Sequence, residues 1–289
     1  MRQGRPQPPQ IPFTKVHGLG NDFILLDALA NPALAELPIP SLAPAWCHRH
    51  TGIGADGVLL LMPPSVPEAS ARMRIFNSDG TEAEMCGNGI RCVARIISER
   101  HGRLLAHDHV HVQTGPTGRN RLLDVRVQRA AQGEFFAAEV DMGPPGHDHR
   151  DVELSVTGRP HPLQVTCVSI GNPHAVLFVD QVESVELQDL GPKIEHHPAF
   201  PHRTNVQFVQ TQSPDHASVR TWERGAGPTL ACGTGACAAL VAGVLKCRLS
   251  RAAVVSLPGG DLRIRWDESD DHVLMTGPAS VAFEGEISR

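Results

Sequence analysis

The sequence predicts an α+β fold made of two related halves, and three observations lead there. A Cys-Gly-x-Gly turn occurs twice, as Cys86-Gly87-Asn88-Gly89 and Cys232-Gly233-Thr234-Gly235, with a separation of 232 − 86 = 146 residues. At that same offset Arg74 aligns with Arg220, Phe76 with Trp222 and Asn77 with Glu223, and no gap is needed between Arg74 and Gly89. Short strand-like runs also greatly outnumber long apolar helical stretches, which argues against a doubly wound α/β sheet.

The elements follow in order. Alternating or β-branched runs bounded by Gly, Pro and Asn mark strands. In the first half these are 24–27, 58–61, 73–76, 110–113 and 122–127. In the second half they are 137–142, 165–169, 175–180, 205–209, 218–223 and 253–257. Buried helices are expected directly after the two Cys turns, over 90–98 and 236–246, and a weaker helix over 40–49. A composition break near Ala130 to Gly133 places the division between domains at 133/134. The Gly- and Pro-rich stretch from Met142 to His149 is a second boundary or an exposed loop. Residues 1–11, rich in Pro and Gln, read as a disordered tail with no apolar core of a secretory signal.

Composition narrows the function classes. The chain has 289 residues, 41% hydrophobic and 20% charged, which is ordinary for a globular protein. The charge balance is 26 − 31 = −5, so neither nucleic acid nor an anionic membrane is favoured as a partner. The longest apolar helical candidate, 236–245, is too short to span a bilayer. Seven cysteines without any Cys-x-x-Cys pair suit thiols in a reducing compartment, so a cytoplasmic protein is expected.

The chemistry concentrates at the two turns. A thiol at a helix N-terminus meets unpaired backbone N–H groups and the positive end of the dipole, which favour its reactive thiolate form. The same amides can hold a carboxylate. A single cysteine in a tight turn is more often buried packing; two in register point to function. Cys92 and Cys237, inside the apolar runs, are expected to pack, and Cys47, Cys167 and Cys247 to be structural. Glu223 and Arg224, in the loop before Cys232, suit an ammonium and a carboxylate. Asn21, Asn77, Asn172 and Asn205 all sit in turns, and Gly20-Asn21 and Gly171-Asn172 repeat ahead of strands that end in Asp. His174 either assists proton transfer or caps its turn. His107, His109 and His111 alternate along a predicted strand, more as a polar face than as a metal site.

In sum, the chain resembles diaminopimelate epimerases. The match is ordered from Phe13 nearly to the end. It includes Lys15-Val-His-Gly-Leu-Gly-Asn-Asp-Phe23, Arg49-His-Thr-Gly-Ile-Gly-Ala-Asp56, Arg74-Ile-Phe-Asn-Ser-Asp-Gly80 and Cys86-Gly-Asn-Gly-Ile-Arg-Cys92. It continues through Gly171-Asn-Pro-His174, Arg203-Thr-Asn205, Glu223-Arg-Gly-Ala-Gly227, Cys232-Gly-Thr-Gly-Ala-Cys237, Leu257-Pro-Gly-Gly260 and Met275-Thr-Gly-Pro278. The resemblance implies two pseudo-symmetric α+β domains, 12–133 and 134–274, each a mixed sheet curled around a central helix. Residues 275–289 would return to the first domain, and the active site would lie in the interdomain cleft.

The implied reaction interconverts LL- and meso-2,6-diaminopimelate on the route to lysine and peptidoglycan, without pyridoxal phosphate or metal, in a cytoplasmic homodimer. Cys86 and Cys232 would be the thiolate and thiol pair. Backbone amides of Gly87, Asn88, Gly233 and Thr234 would hold the reacting carboxylate, with Asn21 at the same end. Asn77, Asn172, Asn205, Glu223 and Arg224 would read the distal end, and His174 would sit near the thiols. Gly57, Pro228 and the loop Gly115-Pro116-Thr117 depart from the family pattern. Two other readings share these residues: a proline or hydroxyproline racemase, and a redox sensor linking Cys86 to Cys232. A binding module without chemistry is the third.

Overall fold

The computed structural model describes residues 10–83, 85–115, 121–147 and 149–288. Its first strands are β1 (Gln10–Gly18) and β2 (Asn21–Asp27), followed by helix α1 (Ile39–Cys47). Next come β3 (Gly57–Met62), β4 (Ala71–Asn77), β5 (Glu82–Ala83), helix α2 (Gly87–Arg100) and β6 (His109–Thr114). The chain continues with β7 (Arg121–Arg129), β8 (Phe135–Asp141), β9 (Arg150–Leu154), β10 (Leu163–Ser169) and β11 (Pro173–Phe178). Helix α3 (Leu187–Glu195) precedes β12 (Asn205–Ser213), β13 (His216–Glu223) and β14 (Gly227–Thr229). Helix α4 (Gly233–Leu245) leads to β15 (Ala252–Leu257), β16 (Gly260–Trp266), β17 (Val273–Gly277) and β18 (Ser280–Ser288).

The chain forms two compact units. One holds residues up to His17, Asp22–Leu123 and Ala279 onward; the other holds Gly18–Asn21 and Asp124–Pro278. The expected division at 133/134 falls in the turn between β7 and β8, and position 275 falls within β17. Strand β1 starts at Gln10, so Gln10 and Ile11 are strand rather than tail: Ile11 is buried and packs with Ile287. Residues 1–9 lie outside those described, as do Pro116 and Thr117.

Each unit repeats one topology. In the first, β2 runs parallel to β3, β3 antiparallel to β4, and β4 pairs antiparallel with β5 and parallel with β6. In the second, β11 runs parallel to β12, β12 antiparallel to β13, and β13 pairs antiparallel with β14 and parallel with β15. The helices occupy matching places: α1 and α3 cross over between the parallel strands, and α2 and α4 follow the short strands β5 and β14. Strand β18 closes the first sheet against β1, with Phe13 opposite Gly285.

Burial explains which runs became central. Ile90, Cys92, Val93, Ala94, Ile96 and Ile97 of α2 are fully enclosed, as are Ala236 through Ala242 of α4. Helix α4, apolar on all sides, is stable only when surrounded, and each enclosed Ile or Val of the two helices contributes about 1.5–3 kcal/mol by leaving water. The outer helices cover the opposite sheet faces: Ile39, Ala43 and Trp46 of α1 meet Ile24, Val58, Leu60 and Phe76, while Leu187, Leu190 and Ile194 of α3 meet Leu177, Val206 and Phe208. Helix α3 was not expected from the sequence, because Gly191 and Pro192 interrupt its period. His107 departs from expectation too: it lies in a turn with φ +52°, leaving only His109 and His111 on the strand. Among the described residues no helix is long and apolar enough to cross a membrane.

One polar cluster pins the entry to β2. Lys15 Nζ lies 2.6 Å from Asp22 Oδ2 and donates to the Gly54 carbonyl. Arg49 grips the same carboxylate at 2.8 and 3.2 Å and reaches Asp56 at 2.7 Å, while the Asp22 backbone N–H donates to Asp56 Oδ2. Burial alone would push the Asp22 carboxyl up, but hydrogen bonds from Arg49 and Lys15 and the Lys15 charge hold it down at about 2. A carboxyl depressed in the folded state contributes stability that is present above about pH 4 and lost as pH falls toward 2. Because Asp22 is only half-buried, the screened contribution is about 1–2 kcal/mol. Asp22→Asn is expected to lower the urea midpoint at pH 7, and its deficit relative to wild type to shrink between pH 4 and 2.

Candidate active site

In the first unit, Cys86 is the N-cap of α2. Its backbone is extended (φ −144°, ψ 115°), and its Sγ accepts from the Gly89 N–H at 3.4 Å. Its carbonyl accepts from Ile90 at 2.9 Å, which starts the helical ladder. Gly87 and Asn88 occupy the first turn, where backbone N–H groups are not consumed by i→i−4 bonds. Arg91 lies beneath that turn, fully buried, and donates to Asn88 Oδ1 at 2.8 Å and to the Gly87 carbonyl at 3.3 Å. It was not singled out from the sequence, although an Arg inside a run as apolar as 90–97 was the available signal.

Asn77 ends β4, with its side-chain N–H₂ donating to Thr81 Oγ1 at 2.9 Å. Opposite it in the ladder stands Gly57. A Cβ on Gly57 would fall 2.4 Å from the Phe76 carbonyl oxygen, so this strand approach leaves no room for a side chain there.

The second unit repeats the cap. Cys232 (φ −116°, ψ 107°) begins α4, is 5% exposed, and accepts from the Gly235 N–H at 3.3 Å. Gly233 and Thr234 form the first turn, and Thr234 Oγ1 lies 3.6 Å from the sulfur. Asn172 donates to that hydroxyl at 3.3 Å, and its Oδ1 lies 2.9 Å from His174 Nε2. His174 Nδ1 lies 3.2 Å from Gln207 Oε1. Thus His174 reaches the thiol through Asn172 and Thr234.

Burial drives His174 down to about 3; the Gln207 hydrogen bond opposes this and the Arg224 charge adds to it. The ring is therefore neutral, with one N–H to give. With Nε2–H directed to Asn172 Oδ1, Nδ1 accepts. The Gln207 amide nitrogen, buried and otherwise without a partner, satisfies it when the amide is turned toward the ring.

Asn205 opens β12. Its Nδ2 donates to the Pro173 carbonyl, and its Oδ1 accepts from the Arg224 backbone N–H, both at 3.0 Å. Glu223 ends β13 and accepts from Thr229 Oγ1 at 2.6 Å, while the exposed Arg224 donates to the His202 carbonyl at 3.2 Å. Pro228 lies opposite Trp222 in β14.

The turn carrying Asn21 belongs to this unit. Leu19 and Gly20 take positive φ, and a Cβ on Gly20 would stand 2.9 Å from Leu230 Cδ1. A Cβ on Gly259 would stand 1.9 Å from the Leu19 carbonyl oxygen, so the Pro258-Gly259-Gly260 segment lets that turn lie against the approach to α4. Asn21, Asn172, His174, Asn205, Glu223 and Arg224 are thus carried by the unit of Cys232, and Asn77 by the unit of Cys86. Among the described residues no group of three or more His, Cys, Asp or Glu is arranged to hold a metal.

The family model described as diaminopimelate epimerase matches residues 13–146 and 166–282. The diaminopimelate epimerase of Nostoc punctiforme is 47% identical over 96% of this chain and 99% of its own length, and that of Microcystis aeruginosa is 48% identical over 96% and 98%. A crystal structure of a hydroxyproline epimerase from Agrobacterium vitis superposes with a TM-score of 0.70 over 99% of this chain and 93% of its own, at 16% identity, a likeness of fold alone. With the family matched across both halves and close relatives aligned nearly end to end, the chain belongs to the diaminopimelate epimerase family.

Proposed function

We propose that this protein is a cofactor-independent epimerase interconverting LL- and meso-2,6-diaminopimelate. The observation that carries the proposal is the duplicated cap: each unit begins its enclosed helix with a cysteine whose sulfur accepts a backbone N–H. One sulfur, as thiolate, takes the α-proton, and the other, as thiol, returns a proton to the opposite face of the carbon. The thiolate and thiol exchange states, so the step balances without an external acid or base.

Negative charge grows on the α-carboxylate as the proton leaves. The first-turn amides of Gly87 and Asn88, and of Gly233 and Thr234, can receive it, and such preorganised donors give large transition-state stabilisation. Asn21 belongs at the same end. Asn77, Asn172, Asn205, Glu223 and Arg224 bind the distal amino-acid end, the Glu carboxylate suiting an ammonium and the Arg guanidinium a carboxylate. A cyclic imino acid has no second amino-acid end for Glu223 and Arg224 to read, which favours diaminopimelate over proline or hydroxyproline. The family resemblance extends the proposal to lysine and peptidoglycan precursor synthesis by a cytoplasmic homodimer.

His174 is proposed as a neutral support that orients Asn172 and Thr234 beside Cys232, with no proton transfer of its own.

Purified protein is expected to convert LL- to meso-diaminopimelate and to leave proline and hydroxyproline unchanged; the reverse preference contradicts the proposal. Cys86→Ala and Cys232→Ala are each expected to lower kcat by about 10³-fold or more while melting near wild type. His174 is expected to keep neutral-ring nitrogen shifts in NMR down to pH 5. Because its folded value lies below the unfolded one, the stability it contributes is full above about pH 6.5 and declines as pH falls toward 3. A His174 ring that titrates between pH 6 and 7 contradicts this assignment.

A further inference from the structure

Glu195 is a carboxylate that the proposed chemistry leaves unused. It is the last residue of α3 and only 3% exposed. Its Oε2 accepts from Trp222 Nε1 at 2.7 Å, and its Oε1 accepts from the Gly225 backbone N–H at 3.1 Å. Arg203 Nη1 lies 3.7 Å from Oε1, and His196 Nδ1 lies 4.0 Å from Oε2. An ionised carboxylate only accepts, and here both of its oxygens face N–H donors.

Those donors come from separate segments of the second unit. Trp222 is the residue before Glu223, and Gly225 (φ +78°) follows Arg224. Arg203, itself at φ +58°, leads into Asn205 at the start of β12. The Trp222 ring is seated against α3, with Cδ2 2.4 Å from where a Cβ on Gly191 would stand, so no side chain fits at 191. The Glu223-Arg224-Gly225 turn is therefore held from two sides. Asn205 Oδ1 takes the Arg224 N–H, and Glu195 takes the Gly225 N–H and the indole that precedes the turn. Charge-assisted bonds to a buried carboxylate are stronger and more directional than neutral ones.

We infer that Glu195 is a positioning residue that sets the specificity of this enzyme, by clamping Trp222 and Gly225 so that Glu223 and Arg224 present their charged groups to the distal end of the substrate. The inference rests on the proposed role of Glu223 and Arg224 as readers of that end. In this role Glu195 acts through the turn, not on the substrate or the thiols. Its loss weakens distal-end binding equally in the ground and transition states, so it acts on KM rather than on kcat.

The isosteric Glu195→Gln separates this from a role in folding alone. A Gln has one accepting oxygen and one N–H₂, so its nitrogen must face either the indole N–H or the Gly225 N–H, donor against donor. Trp222→Phe removes the indole donor and keeps a ring on Gly191. In the double variant the Gln nitrogen can turn toward the Phe, and its oxygen can again take Gly225.

Steady-state kinetics with LL-diaminopimelate are measured for wild type, Glu195→Gln, Trp222→Phe and the double variant, with Glu223→Gln and Arg224→Ala alongside. Glu195→Gln is expected to raise KM about tenfold with kcat within about twofold, and the double variant to recover most of that KM. If Glu223→Gln and Arg224→Ala raise KM but Glu195→Gln does not, or if the double variant shows no recovery, the clamp is overturned and the turn keeps its role. If Glu223→Gln and Arg224→Ala leave KM unchanged, the distal-end reading fails and the clamp fails with it.

Discussion

The contact on which the rest depends is a sulfur accepting a backbone N–H at the first turn of an enclosed helix. It occurs once in each unit, at 3.4 Å for Cys86 and 3.3 Å for Cys232. Ser, Thr, Asp and Asn are the usual N-caps, so two cysteines in that role give up some cap strength for a reactive atom at the positive end of the dipole. The cap works only if the helix start is rigid. The burial of the first turns and apolar faces of α2 and α4 supplies that rigidity, and Arg91 adds a buried cation under the turn of Cys86.

Around Cys232 the polar groups are arranged in layers. Thr234, Asn172, His174 and Gln207 form a line leading away from the sulfur, and because burial keeps His174 neutral, the line holds orientation and carries no charge. A second group, Asn205 and Glu195, grips the turn that bears Glu223 and Arg224. Under the proposed reaction the first set steadies the surroundings of Cys232, with Asn172 joining it to the distal-end readers, and the second holds the turn that reads that end. Binding energy from groups remote from the chemistry is what orients a flexible substrate for it.

Much of this was legible in the sequence because duplication doubles a weak signal. A single Cys-Gly-x-Gly turn is unremarkable, yet the 146-residue offset carrying Arg74 onto Arg220 announced two copies of one topology, and the strand pairings repeat it. The enclosed helices were readable from the apolar runs after each Cys turn, continuous over 236–245 and broken by Arg91 and Arg95 in the first. What escaped reading depends on tertiary context. Helix α3 hides behind Gly191 and Pro192, and Gly191 is there because Trp222 occupies the space of a side chain. Glu195 was not singled out from the sequence, since nothing local shows that it is buried and bonded to Trp222, 27 residues away. Gly57 stood out only as a departure from the family pattern, and the closeness of the Phe76 carbonyl to it is visible only in the strand pairing. The runs read as strands omitted β1, β5, β9, β14, β16, β17 and β18. Of these, β5, β9 and β14 are short or polar pieces whose conformation comes from the strand they pair with, and in β16 the charged residues Asp261, Arg263 and Arg265 break up the apolar run although Leu262, Ile264 and Trp266 are buried.

The division of acid and base between two sulfurs leaves an isotopic signature. LL-diaminopimelate is incubated with the enzyme in heavy water, and deuterium is followed at early conversion in both the remaining substrate and the new meso product. Two sulfurs acting from opposite faces place deuterium in the product while the remaining LL-isomer stays protiated. Label entering the LL pool as fast as the meso pool would mean that a single group removes and returns the proton, and the paired-thiol account would be wrong.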